Sequence, residues 1–392
     1  MLKKQKHKTF ITKNIDATEK VELVHSGEDY FLRLHSIILN AQSEIHLQTY
    51  IFDNDSTGIE IVDALKEAAS RNVKVYVLLD AYGSSSLPGQ FIKDLILHGI
   101  NIRFFSPFFS LNNFYLGRRL HHKIVVVDEK IALIGGINIG DKYRGTETKE
   151  PWLDFAVQIE SESIAEYLQQ VCRKIYLKKK RIHKKKIKTV FHSVEEAYIR
   201  IIQNDWLNRK NEISNAYINA IRNARQEVII VGSYFLPGRK LTNILKKASR
   251  KGVKIKLILS GISDIPIVRR ATCYLYSSLL KHNIELYEWN KSVMHGKACL
   301  VDGEWTTVGS FNLNHLSSYG SIEMNVEINS PGFSQTLASH FNQVIAQCEN
   351  ITSETLKTRS SIVSKILNWL SYRLIRILLI IVTYIPYKRF RS

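Results

Sequence analysis

Cysteine is scarce in this chain: Cys172, Cys273, Cys299 and Cys348 are the only four in 392 residues. They are scattered, with no CxxC pair and no zinc-type Cys/His cluster, so neither a disulfide framework nor a structural metal is expected. Reduced thiols in or near cores are the expectation. Acidic residues are short as well, since 36 Asp and Glu against 55 Lys and Arg leave a formal charge of +19. That excess points to an anionic partner, nucleic acid or acidic lipid, without choosing between them. The first twenty residues, "MLKKQKHKTFITKNIDATEK", are basic but lack an apolar segment behind the charges. A secretory signal is therefore not expected, and the chain is expected to face the cytosol. No apolar run approaches the ~20 residues of a membrane-spanning helix.

What is present suffices for globular folding: 45% of residues are hydrophobic and 10% aromatic. A chain of this length favours two lobes over one core. Internal similarity supports that division. "SEIHLQTYIF" at 43–52 parallels "QEVIIVGSYF" at 226–235, and "ASRNVKVYVLL" from Ala69 parallels "ASRKGVKIKLIL" from Ala248. Asn72 and Gly252 stand where a helix C-terminus takes a left-handed residue. Each copy reads as strand, amphipathic helix, strand, helix, strand, the pattern of an α/β layered lobe.

The expected organisation is a basic tail at 1–20, a first lobe at 21–172, a basic linker at 173–188, a second lobe at 189–350 and a distinct C-terminal tail at 351–392. The linker "RKIYLKKKRIHKKKIK" is either a solvated connection or a surface that touches acidic lipid. The tail mixes Leu and Ile with Trp369, Tyr372, Tyr384 and Tyr387, interrupted by Lys365, Arg373 and Arg376. Its run from Ile377 to Ile385 is too short to span a bilayer; an interfacial helix fits it, with a packed core helix as the alternative.

The chemistry concentrates in "RRLHHKIVVVDEKIALIGGINIGD" (118–141) and "MHGKACLVDGEWTTVGSFNLN" (294–314). Both contain HxKxxxxD followed by Gly and Asn at matching offsets: His121, Lys123, Asp128, Asn138, and His295, Lys297, Asp302, Asn312. One such match is weak, whereas two in a duplicated chain are strong. On a strand, residues two apart share a face, so His121 and Lys123 are neighbours and His122 points away as a bystander. Asp128 and Asp302 precede turn residues, where an aspartate caps the hairpin or pairs with a base.

These paired motifs resemble the phospholipase D superfamily over both halves of the chain. "SYFLPG" (233–238) and "DIPIVRRATCYLYSSLL" (264–280) are similar to its lipid-synthase branch, the bacterial cardiolipin synthases of the B type. The resemblance implies an α/β fold of two duplicated lobes, each a mixed sheet flanked by helices, related by a pseudo-twofold and followed by an amphipathic helical tail. It also implies that Asp154 in "PWLDF" and Glu323 in "SIEMN" hold the histidine rings; Leu153 replaces an arginine frequent at that position.

The implied reaction is phosphatidyl transfer between two phosphatidylglycerol molecules, giving cardiolipin and glycerol through a phosphatidyl-histidine, without metal or cofactor. One imidazole attacks phosphorus while the other supplies and removes the proton. Lys123, Lys297, Asn138 and Asn312 are expected around the non-bridging oxygens. The family leans toward His121 as nucleophile, which near-symmetric motifs do not decide. The alternative is a hydrolase or nuclease of the same chemistry with water as acceptor. The expected partner is an anionic phospholipid membrane on its cytoplasmic side; nucleic acid is not expected, and no obligate protein partner is implied.

Overall fold

A computed structural model describes residues 12–14, 20–106, 109–110, 113–114, 118–178, 198–205, 208, 210–314, 317–318 and 320–389. Most of the basic tail and the basic run beyond residue 178 therefore lie outside the described residues.

The first lobe comprises β1 (Lys20–His25), α1 (Glu28–Leu39), β2 (Glu44–Thr49), α2 (Ser56–Ser70), β3 (Lys74–Asp80), α3 (Gly89–Leu97), β4 (Asn101–Phe105), β5 (Arg119–Leu120), β6 (Lys123–Val127), β7 (Ile131–Gly135), β8 (Phe155–Glu160) and α4 (Glu162–Tyr176). Its seven-stranded sheet runs β1-β8-β7-β6-β2-β3-β4. The β2-β3-β4 pairs are parallel and the others antiparallel.

The second lobe comprises β9 (Tyr198–Asp205), α5 (Glu212–Asn223), β10 (Glu227–Gly232), α6 (Arg239–Arg250), β11 (Lys254–Ile262), α7 (Pro266–Leu280), β12 (Ile284–Val293), β13 (Lys297–Val301), β14 (Trp305–Gly309), β15 (Ser321–Asn329), α8 (Pro331–Ala346) and β16 (Glu349–Ile351). Its strands follow β9-β15-β14-β13-β10-β11-β12, the same order with the same directions, so the duplication seen in the sequence extends to topology. β16 extends this sheet at the β12 edge, and a short strand, Thr12–Asn14, adds to β9 at the other.

Local sequence explains several of these elements. α2 and α6 are followed by Asn72 and Gly252 at φ 68° and 89°, the left-handed positions expected from the sequence. The hairpins β6–β7 and β13–β14 turn on Asp128-Glu129 and Asp302-Gly303, all four with positive φ, as a type I′ turn requires. β6 and β13 are buried on both faces, which is why they read as unbroken apolar runs rather than alternating ones.

Three cores result. One lies between the first sheet and α1–α3, and one between the second sheet and α5–α7. The third is shared: Val126, Ile134 and Val157 of the first sheet meet Val231, Val308 and Val326 of the second, closed by α4 and α8. Docking the two sheets through this apolar layer brings the ends of β6 and β13 together. The four cysteines are unpaired, with Cys172 and Cys299 buried.

Beyond β16, a 28-residue helix, α9 (Ile362–Arg389), lies against α7. Ser364, Asn368 and Tyr372 are half-buried, Ser371 is buried, and Tyr372 stacks on Tyr274 of α7 at 4.6 Å. The large apolar side chains Ile362, Val363, Ile366, Leu370, Leu374 and Ile377 are exposed. Over its first three turns the helix therefore turns small and polar residues inward and large apolar ones outward, while Ile375 and Leu379 further along are half-buried. Among the described residues no helix is long and apolar enough to cross a membrane.

Candidate active site

Each histidine is held by the opposite lobe. The Nδ1 of His121 lies 2.9 Å from Oε2 of Glu323, and the Nδ1 of His295 lies 2.6 Å from Oδ2 of Asp154. The crossing extends to the backbone. The carbonyl of Ile322 accepts hydrogen bonds from the N–H groups of His121 and His122, while that of Leu153 accepts those of His295 and Gly296. β5, just ahead of His121, pairs in parallel with the start of β15, and Leu153 bridges to Met294 in the mirrored way. The sequence marked Leu153 only as a departure from its relatives. Its contribution is a carbonyl, which any side chain leaves in place.

The carboxylates are fixed differently. A Cβ at Gly136 would stand 2.2 Å from Oδ1 of Asp154, so glycine there makes room for the acid. At the matching position Ser310 donates from Oγ to Oε2 of Glu323 at 2.5 Å. Asp154 also accepts the N–H of Phe155 at 2.8 Å. Burial raises its pKa to about 6, opposed by the charges of Lys297 and Lys123. Burial lowers the pKa of both His121 and His295, with Lys297 and Lys123 acting in the same direction. Both lowered values favour neutral imidazoles; each ring turns Nδ1 to a carboxylate, that of His295 also lying 3.0 Å from Nζ of Lys297, and a proton held on Nδ1 leaves the Nε2 lone pair for chemistry.

Lys123 donates to the carbonyl of His121 at 2.6 Å, and Lys297 to that of His295. Burial, then the charge of Lys297, lowers the pKa of Lys123 to about 7; burial lowers that of Lys297 to about 8. A dry pair of mutually repelling ammonium groups is a ready cradle for an anion, which would restore their charge. Asn138 accepts the N–H of Ile51 at 3.0 Å and donates to the Tyr143 hydroxyl at 2.6 Å. Asn312 accepts from Ser233 Oγ at 2.8 Å, and its amide nitrogen donates to no described residue. His122 is buried against Gln48 at 2.9 Å, and burial lowers its pKa to about 3; it is a neutral strut under the hairpin.

Folding lowers the pKa of Lys123 from 10.5 to about 7, so between those values the unfolded chain binds the proton more tightly and stability rises with pH. Lys123→Met removes the penalty. The variant should be inactive yet more stable than the parent by about 4 kcal/mol at pH 7, with the gap closing toward pH 10 in paired thermal melts. A less stable variant at pH 7 would contradict this.

Asp128 and Asp302 sit in the hairpin turns at the strand ends remote from the histidines, and among the described residues their carboxylates neither cap those turns nor pair with a base but cap the start of the neighbouring strand. Asp128 accepts from the N–H groups of Gln42, Ser43 and Glu44 at 2.7–2.9 Å, and Asp302 from those of Arg225, Gln226 and Glu227 at 2.8–2.9 Å. Each ties its hairpin to the start of the neighbouring strand. Alanine at either position should cost about 2–4 kcal/mol in chemical denaturation while sparing measurable turnover; unchanged stability would refute the capping role.

The family model described as "Cardiolipin synthase, PLD-like domain" matches residues 34–176 and 217–345. The chain belongs to the phospholipase D-like cardiolipin synthase family. It is 35% identical over 355 residues to cardiolipin synthase B of Escherichia coli, covering 87% of this chain and 84% of that protein. It is 33% identical over 354 residues to cardiolipin synthase B of Salmonella typhimurium, with the same coverage of each chain. Cardiolipin synthase 1 of Staphylococcus aureus is 28% identical over 363 residues, 89% of this chain and 71% of that one. In fold, it is similar to the crystal structure of phosphatidylserine synthase from Haemophilus influenzae, with a TM-score of 0.74 and 16% identity over 95% and 96% of the two chains.

Within this phospholipase D-like frame, sequence reasoning missed the aromatic walls. The Tyr50 ring lies 5.1 Å from that of His121, while Tyr143, Trp152 and Tyr234 lie 5.4, 5.9 and 6.1 Å from that of His295. It also missed Asp80, buried at the end of β3, which accepts the N–H of Leu120 at 2.8 Å and so fixes the residue before His121. The tyrosines in "QTYIF" and "GSYF" were a usable signal, although one residue out of register with each other.

Proposed function

We infer that the chain is a cardiolipin synthase that transfers a phosphatidyl group between two phosphatidylglycerol molecules and releases glycerol. The crossed histidine–carboxylate pairs carry this reading, since they supply two imidazoles with free Nε2 atoms beside two buried lysines. In the first half-reaction Nε2 of His121 attacks phosphorus, the P–N bond forms and the bond to the glycerol oxygen breaks. That oxygen takes a proton from His295, protonated once the anionic phosphodiester has entered. In the second half-reaction neutral His295 removes the proton from the hydroxyl of another phosphatidylglycerol. The new P–O bond forms, the P–N bond breaks, and His121 is released neutral. Lys123 and Lys297 neutralise the non-bridging oxygens, with the amide of Asn312 as a further donor, while Asn138 holds Ile51 and Tyr143 behind the site.

The protein attaches to the cytoplasmic surface of the membrane through α9 without crossing it. Its outward apolar stripe and the basic residues Lys365 and Arg373 suit an anionic interface.

Purified protein incubated with labelled phosphatidylglycerol should yield labelled cardiolipin and free glycerol, with an acid-labile label trapped on His121. Phosphatidic acid as the only lipid product, or nicked plasmid without lipid turnover, would overturn the synthase reading. A label on His295 would exchange the two roles.

A further inference from the structure

The two halves of the site differ beside their histidines, and the difference lies in hydrogen-bond polarity. Among the described residues the hydroxyl of Tyr50 makes no hydrogen bond, and the neighbouring Asp80 is committed to the N–H groups of Leu120, Tyr82 and Gly83. On the other side the Tyr234 hydroxyl lies 2.8 Å from both carboxylate oxygens of Asp264. Tyrosine has one proton to give, and it goes to Asp264. The pair then presents only acceptor lone pairs.

That polarity is unusual at this site. Lys123, Lys297 and the amide nitrogen of Asn312 are donors, Asp154 is engaged by His295, and Glu323 is engaged through Oε2 by His121 and Ser310, with its Oε1 buried, whereas Asp264 is exposed. A ligand that brings hydroxyl protons finds free acceptors at Asp264. Position favours the same conclusion. β11 pairs with β12 as far as Ile262 opposite Val293, two residues before His295, and Asp264 follows on the turn into α7. Ser260 of the same strand accepts the N–H of Met294 at 3.2 Å. The Tyr234 ring stands edge-on to His295, and the charge of Asp264 is felt by Lys297. Asp264 is exposed, so an incoming headgroup can reach it.

We propose that Asp264, held by Tyr234, is the acceptor-headgroup subsite: it takes one hydroxyl of a vicinal diol while the adjacent hydroxyl is presented to His295. This deepens the synthase reading and rests on it. A glycerol headgroup satisfies both positions at once, whereas water and a monohydric alcohol satisfy only the reacting one. Asp264 therefore sets the partition of the phosphatidyl-enzyme between transfer and hydrolysis. In the partitioned step the P–N bond to His121 breaks, the P–O bond forms to either acceptor, and the acceptor's proton passes to His295.

The test uses the full chain in mixed micelles of detergent and labelled phosphatidylglycerol, scoring cardiolipin against phosphatidic acid. The parent's cardiolipin output checks the synthase reading separately. Asp264→Asn should lower the cardiolipin-to-phosphatidic acid ratio about tenfold whatever its effect on total donor consumption, because the ratio reads only the competition between acceptors for the phosphatidyl-enzyme. Tyr234→Phe, which keeps the ring, should move the ratio in the same direction by a smaller factor. With glycerol and 1-propanol competing as added acceptors, the parent should favour glycerol and Asp264→Asn should lose that preference. An unchanged ratio and preference in Asp264→Asn, or a proportional fall of both products, would overturn the assignment while leaving the synthase reading intact.

Discussion

With alanine at His121 or at His295, cardiolipin formation should fall by at least four orders of magnitude. In the proposed mechanism the two imidazoles are non-redundant, one forming the covalent bond and the other managing the proton, so loss of either would stop the cycle. No described neighbour can substitute: Lys123 and Lys297 donate to the carbonyls of the same two histidines, and His122 is buried on Gln48. Because the orienting acids are crossed, Asp154→Asn should impair the proton step at His295 and Glu323→Gln the attack by His121, each by roughly 10²- to 10⁴-fold. Product formation from labelled phosphatidylglycerol over hours measures all four variants. Residual activity above ~1% in either histidine variant would sink the shared-site model.

The second large effect concerns α9. Glutamate at Ile366, Leu370 and Ile377, exposed by 52%, 48% and 54%, should reduce partitioning onto anionic phospholipid vesicles by two orders of magnitude or more. Burying one such side chain contributes about 1.5–3 kcal/mol, so losing three removes most of the apolar attachment. Because these side chains point away from α7, the variant should keep the parent's circular dichroism and melting temperature. Vesicle flotation provides the measurement, and co-flotation equal to the parent's would exclude this face as the attachment surface. The charge of +19 alone would leave a weaker, salt-sensitive association.

Much of this was legible in the chain itself. Motif spacing located His121, Lys123, His295 and Lys297, because two residues apart on a strand is a purely local relation. The repeated strand–helix–strand–helix–strand pattern carried the fold, since hydrophobic period and left-handed caps such as Asn72 and Gly252 are written over a few residues. Asp128 and Asp302 stood at turns, although the left-handed geometry of those turns came only with the structure.

Only the tertiary structure decided which acid serves which histidine. Asp154 follows the motif of His121 in sequence but binds His295, because the two sheets dock through a shared apolar layer that places each acid across from the other lobe's imidazole. The same docking explains Gly136 opposite Ser310, a difference that spacing treats as neutral but that accommodates an aspartate on one side and anchors a glutamate on the other. The composition of α9 shows two faces but not which one packs; contact with α7 through Tyr372 leaves Ile362, Ile366, Leu370 and Ile377 facing outward. Local pattern follows from covalent spacing and backbone geometry, whereas these pairings are long-range consequences of how separate surfaces bury each other, which no single stretch of sequence encodes.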